Sequence, residues 1–146
     1  MIGKVTVLAS NDPFDLKLSR EIREVLSADA GLSIGASAID PDSPRTALFD
    51  TWHKADRVII GFSAELNTWL TTHRDHFQWV LGILGPGAIT RFLVVEFRAI
   101  HMPVERLNSL DPRLSDRMVP QEEPLGEMAE RKREDWVRTV LLPAIH

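Results

Sequence analysis

The sequence contains no cysteine, which rules out both a disulfide framework and a thiolate metal site and suits a reducing compartment. No apolar run approaches the roughly 18–20 residues that a membrane-spanning helix needs. The chain enters a strand-like segment at once, which leaves no room for a signal peptide. We therefore expect a soluble cytoplasmic protein that does not associate with membranes.

An excess of basic residues is also missing. The chain has 17 lysines and arginines against 21 acidic residues, for a formal net charge of -4. Proteins that bind nucleic acids usually carry a basic excess or a basic stripe. The densest basic segment, at 130–135, alternates with acids as a solvated helix face does. We expect no nucleic-acid partner.

Two common motifs of nucleotide and ester chemistry are absent. The glycines of "GILGPG" (82–87) follow a predicted helix instead of opening one, so they predict a helix stop and not a phosphate loop. No GxSxG elbow occurs, and Ser63 has no evident histidine and acid partners. We expect Ser63 to cap a turn between a strand and a helix.

What the sequence does contain is an alternation of buried-strand and amphipathic-helix patterns. Strands are predicted at 4–10, 32–39, 56–63 and 90–98, and helices at 14–28, 46–55, 67–85 and 127–145. This order predicts a single α/β domain over residues 1–146, a three-layer flavodoxin-like fold whose mainly parallel sheet of four to five strands is flanked by helices.

The first predicted helix has the clearest boundaries. Asn11 and Asp12 precede it with N-cap chemistry, and Gly31 follows it as a stop. Its apolar residues recur at helical spacing, as a buried face requires: Leu18, Ile22, Val25 and Leu26.

Parallel sheets of this kind bind ligands at the carboxyl ends of their strands. The loops at 10–15, 40–44, 63–67 and 98–103 are expected to meet at that edge. The residues expected to line a ligand pocket there are Ser10, Asn11, Asp12, Phe14, Ser63 and Trp69.

In this order the segments resemble a Toll/interleukin-1 receptor (TIR) domain. The closest piece is "ALFDTWHKADRVIIGFSAELNTW" (47–69), which is similar to the family's helix, third strand and following tryptophan turn. "KVTVLASNDPFDLKLSREIREVL" (4–26) resembles its first strand, polar loop and first helix. "RFLVVEFRAIHMPVERLNSL" (91–110) resembles its fourth strand, with the family's proline and leucine at Pro103 and Leu107.

The resemblance implies one of two activities, because some TIR domains only assemble with one another and others cleave NAD with a glutamate on the helix after the third strand. Residues 66–95 contain no glutamate; its place falls near His73 or, with a short insertion, near Gln78 and Trp79. We therefore expect an interaction module without a catalytic residue or cofactor. If the chain is an enzyme, NAD is its substrate and Asp75 or Glu65 is the substitute carboxylate.

The resemblance also implies where partners bind. The loop after the second strand is a frequent assembly surface of the family. Expected partners are TIR-like or effector-associated proteins and further copies of the chain, in a signalling or defence system. Two alternatives are an enzyme related to nucleoside deoxyribosyltransferases and a sensor that binds a nucleotide without turnover. The expected interaction loop consists of Asp40, Pro41, Asp42, Ser43, Pro44 and Arg45.

Two further patterns concern aromatic and histidine residues. Core packing explains most of the tryptophans, and we expect Trp69 and then Phe14 to be the surface anchors. His73 and His76 share a helix face, but a metal site needs a third ligand and supporting groups. We interpret them as an exposed polar stretch and expect no metal.

Overall fold

The computed structural model describes residues 3–44 and 46–146, without the side chains of Asp29, Ala30, Leu48, Asp50 and Thr51. One four-stranded sheet runs through it in the order β2-β1-β3-β4, with every neighbouring pair parallel. This confirms the predicted α/β fold with its parallel sheet. The strands are β1 (Lys4–Ser10), β2 (Ser33–Ile39), β3 (Arg57–Phe62) and β4 (Phe92–Glu96).

Helices connect the strands and close the chain. No helix within the described ranges is long and apolar enough to cross a membrane. Short 3₁₀ turns lie at Ala88–Arg91, Leu114–Arg117 and Leu125–Glu127. The helices are α1 (Pro13–Ala30), α2 (Ala47–Trp52), α3 (Ala64–Thr72), α4 (Arg74–Leu84), α5 (Pro103–Leu110), α6 (Glu130–Trp136) and α7 (Leu142–Ile145).

The sheet is covered on both faces, which gives the predicted three layers. Successive residues of a strand point to opposite faces. On β3, Ile59 packs into the cluster formed with α1, α6 and α7, whereas Val58 and Ile60 pack into the cluster formed with α2 to α5. Strands β1, β3 and β4 are buried on both sides, as near-continuous apolar sequences predict, whereas the edge strand β2 is partly exposed.

The first helix matches its predicted pattern. Asp12 is the N-cap, and its Oδ1 accepts the backbone N–H groups of Phe14 (2.9 Å) and Asp15 (3.4 Å). Gly31 ends the helix in the left-handed conformation at φ 62°, which glycine adopts without strain. The predicted apolar face is buried in the core: Leu18, Ile22, Val25 and Leu26.

The helix predicted at 67–85 differs in two ways. It begins earlier, at Ala64, because the Ser63 hydroxyl caps it as expected. It is also divided at His73 into α3 and α4. The hydroxyls of Thr68 and Thr72 donate to the carbonyls of the residues four positions earlier, at 3.0 and 2.9 Å, and such bonds bend helices.

The strand predicted at 90–98 is shorter than expected. Residues 88–91 form a 3₁₀ turn instead, in which the Thr90 hydroxyl and backbone N–H both donate to the Gly87 carbonyl, at 2.6 and 3.2 Å. The preceding stop is as predicted, with Gly85 at φ 98°.

The C-terminal helix, predicted at 127–145, begins at Glu130 and contains one wide turn. Residues Val137–Leu141 are π-helical and join α6 to α7. Arg133 fixes α6 to α1 through a two-pronged ion pair with Glu21, at 2.6 and 2.8 Å. At the end of the chain Ile145 is fully buried, and its carbonyl accepts a hydrogen bond from Arg57 Nε at 3.1 Å.

Candidate functional site at the carboxyl ends of the strands

A fully buried carboxylate lies at the centre of the predicted edge. Asp15, the third residue of α1, has no exposed side-chain surface. Its Oδ2 accepts hydrogen bonds from the hydroxyls of Ser10 at the end of β1 and of Ser63 after β3, the latter at 2.9 Å. Arg98, beyond β4, donates to both carboxylate oxygens at 2.8 and 3.0 Å. One carboxylate therefore joins the ends of three strands.

Arg98 links this buried group to a second acid. It also binds Glu65 on α3, whose side chain is 48% exposed. The hydrogen bond to Asp15 is the main reason that the pKa of Arg98 lies above its ordinary value, and the charges of Asp15 and Glu65 add to it. A permanent cation thus lies between two acids and binds both of them.

A cavity of about 250 Å³ opens beside Glu65. Trp69 forms part of its wall, with its ring 4.6 Å from that of His73, measured between centroids. The indole Nε1 donates to the Ser43 carbonyl at 3.0 Å, which fixes the loop after β2 to α3. The lining residues are Asn11, Ile39, Asp40, Pro41, Glu65, Thr68, Trp69, Thr72 and His73.

The predicted pocket residues divide into three groups. Asn11 and Trp69 line the cavity, whereas Ser10 and Ser63 bind Asp15. Asp12 caps α1, and the Phe14 ring packs over Gly126, where a Cβ would meet it at 2.5 Å. The predicted residues therefore lie at this edge, but only some of them line the cavity, and the others bind Asp15, cap α1 or pack against Gly126.

The predicted interaction loop is ordered by its own hydrogen bonds. The backbone N–H of Asp42 donates to Asp40 Oδ1 at 2.7 Å, and that of Asp40 donates to Ser43 Oγ at 3.0 Å. Pro41, Asp42 and Pro44 are exposed. Arg45 lies outside the described residues.

The two substitute carboxylates are differently placed. Asp75 lies on the exposed side of α4 and does not line the cavity, whereas Glu65 does. His73 and His76 each pack against a tryptophan, Trp69 and Trp79. Within the described part of the chain, no three histidine or acidic side chains are grouped closely enough to hold a metal ion.

Sequence reasoning missed the central ion pair. It placed Asp15 and Arg98 in loops at the correct edge but gave neither a role. The available signal was an acid in the first turn of α1 and an arginine directly after an apolar strand. A single sequence does not show that two such residues, 83 positions apart, face each other.

The expected surface anchors are partly wrong. Trp69 is only 4% exposed, because its ring packs in the hydrophobic core and its nitrogen binds the loop after β2. Phe14 is 37% exposed. Instead, Trp79 and Ile83 on α4 have the highest exposed fractions, 57% each, among the large apolar side chains that the structure describes.

The acids at this edge are already occupied. Asp15 and Glu65 bind Arg98, Asp12 caps α1, and Asp40 accepts a hydrogen bond from its own loop. A general base acts on a proton within hydrogen-bond reach, and of the acids bound to Arg98 it is Glu65 that lines the cavity. No protein-family model matches the chain, and no curated protein matches it significantly.

Proposed function

We propose that the chain is a TIR-like interaction module, which signals by assembling with TIR-like or effector-associated proteins and with further copies of itself, without a cofactor. The observation that carries the proposal is the exposed apolar pair on α4. Trp79 and Ile83 lie four residues apart, one helical turn, so their side chains form one patch. Tryptophan is enriched among the residues that contribute most to binding energy at protein interfaces.

Two further features support assembly over catalysis. The acids at the carboxyl edge are bound to Arg98 or to backbone groups, so that their present role is structural. The loop of residues 40–44 holds its shape through internal hydrogen bonds and its bond from Trp69, and an ordered loop loses little conformational entropy when a partner binds. The cellular setting that we propose is a signalling or defence system in the cytoplasm.

Sedimentation velocity over a wide concentration range tests the proposal. The protein is expected to self-associate, and Trp79→Ser is expected to weaken that association by about tenfold or more. Val104→Ser is the matched control, since Val104 is also an exposed apolar residue (44%) but lies on α5. Equal weakening of self-association by both variants would contradict a specific role of α4 in the interface.

Assembly with a different partner is tested by titrating TIR-like domains against the labelled protein. A protein that stays monomeric at every concentration and binds none of these domains would contradict the proposal. Both variants replace exposed side chains, so their thermal unfolding is expected to match that of the unmodified protein.

A second candidate function is NAD cleavage, which the 250 Å³ cavity favours because Glu65, Trp69 and His73 line it together. In that reaction water adds to the ribose carbon as the bond to nicotinamide breaks. Incubation with NAD followed by chromatography for nicotinamide and ADP-ribose tests it. Release of nicotinamide that Glu65→Gln abolishes would establish the enzyme, and we expect no release.

A further inference from the structure

A separate cavity of about 300 Å³ lies between α3 and α5. It shares no lining residue with the cavity at the carboxyl edge. The residues of α3 that line one cavity are sequence neighbours of those that line the other. Adjacent helix positions point about 100° apart, so the two cavities lie on different sides of α3. The lining residues are Asn67, Thr71, Met102, Glu105, Arg106 and Ser109.

Asn67 lines this cavity and has an unused hydrogen-bond acceptor. The residue is 7% exposed, and its side-chain oxygen Oδ1 is buried with no hydrogen-bond partner in the described part of the chain. Buried polar atoms are almost always paired, so an unpaired one in a cavity wall calls for an explanation. A ligand that offers an N–H or O–H group to Asn67 would complete its bonding.

Met102 holds a strained backbone at the mouth of the same cavity. Its φ of 54° and ψ of 59° are left-handed, which is unfavourable for a residue with a side chain. Its side chain is 49% exposed. Strain of this kind clusters at ligand sites, and the flexible methionine side chain adapts to apolar groups of different shape.

Two charged residues of opposite sign complete the wall. Arg106 uses Nε to donate to the His101 carbonyl at 2.8 Å. Its two terminal nitrogens have no hydrogen-bond partner among the described residues, so a carboxylate in the cavity that Arg106 lines could bind them. Glu105 lies next to it and suits an ammonium group.

We propose that this cavity binds a small α-amino acid with an apolar side chain. The carboxylate binds Arg106, the ammonium donates to Asn67 Oδ1 and Glu105, and the side chain packs on Met102. A volume of about 300 Å³ is at the lower limit for ligand pockets, which suits a small ligand. The site is independent of the proposed assembly surface.

Thermal-shift and calorimetric titrations of the whole protein with the standard L-amino acids, one at a time, test the proposal. At least one apolar amino acid is expected to raise the melting temperature, because a ligand that binds only the folded state stabilises it. Its carboxamide and its N-acetyl form, each lacking one charge, are expected to bind at least about tenfold more weakly. A panel in which no amino acid binds would overturn the proposal.

Three variants locate the binding. Asn67→Leu and Arg106→Gln are each expected to weaken binding by about tenfold or more, because each removes a hydrogen bond to a charged group. Asn108→Leu, at an exposed asparagine of α5, is expected to leave affinity unchanged. Unaltered affinity in Arg106→Gln would overturn the assignment even if Asn67→Leu fails to fold, since Arg106 is exposed.

Discussion

Asp15 and Asn67 are two buried polar side chains in opposite situations. Asp15 is completely buried and binds two serine hydroxyls and both prongs of Arg98. Asn67 is 7% exposed, and its side-chain oxygen binds nothing in the described part of the chain. Burial alone therefore does not distinguish a structural group from a binding group. The number of partners does, because an unpaired buried group costs free energy that a ligand can recover.

The largest expected effect on stability comes from substituting Asp15, whose carboxylate has hydrogen-bond partners at both oxygens. Asp15→Asn keeps the shape but removes the charge that balances Arg98, so we expect a loss of about 3 kcal/mol in the free energy of unfolding. Urea denaturation followed by circular dichroism measures it.

Glu65→Gln is the matched control, because Glu65 binds the same arginine from an exposed position. An exposed ion pair contributes at most about 1 kcal/mol. Equal losses in the two variants would show that burial of Asp15 does not set the strength of the network.

A gain in stability, instead of a loss, is expected when Asn67 is replaced. Asn67→Leu replaces an amide whose buried oxygen is unpaired with an apolar side chain of similar size, so the ligand-free protein is expected to gain about 1 kcal/mol. The same denaturation experiment measures it, with Asn108→Leu expected to change stability by less than about 0.5 kcal/mol. A loss of stability in Asn67→Leu would indicate that the amide is satisfied.

The smallest effect concerns a third acid, Glu96 at the end of β4. Burial is the main reason that its pKa is raised from 4.5, and the charge of Glu127 raises it further, against a hydrogen bond from the Ile100 backbone. A carboxyl group whose pKa is raised in the folded state stabilises the protein at pH values below its unfolded pKa. This stability is lost as the pH rises through the folded pKa. Glu96→Gln cannot ionise, so it is expected to exceed the unmodified protein in melting temperature at neutral pH and to equal it near about pH 4. A constant difference across this range would exclude ionisation as the cause.

The fold could be predicted from the sequence because its signals are local. Strands β1, β3 and β4 are apolar runs, and Asp12 and Gly31 mark the ends of α1. The break at His73 was not predicted, because the polar residues around it are equally typical of an exposed helix face, and the threonine hydroxyls near it act through the backbone.

The candidate site was less predictable, because its contacts join distant parts of the chain. The carboxyl edge was predicted from the strand order alone, and Ser10, Ser63 and Asn11 lie there. The pairing of Asp15 with Arg98 depends on the register of three strands, and the unpaired state of Asn67 depends on how α5 packs against α3. The exposure of Trp79 likewise follows from packing, since the residue type alone favours the core.

The wide π-helical turn at Val137–Leu141 has a consequence for insertions and deletions. A π turn holds one residue more than an α turn, and each residue rotates the following helix by about 100°. Removing one residue within it would yield a regular α-helix but would turn Ile145 away from the core and its carbonyl away from Arg57. The extra residue thus sets the phase of the last helix, and a change of length is more harmful there than a change of residue type.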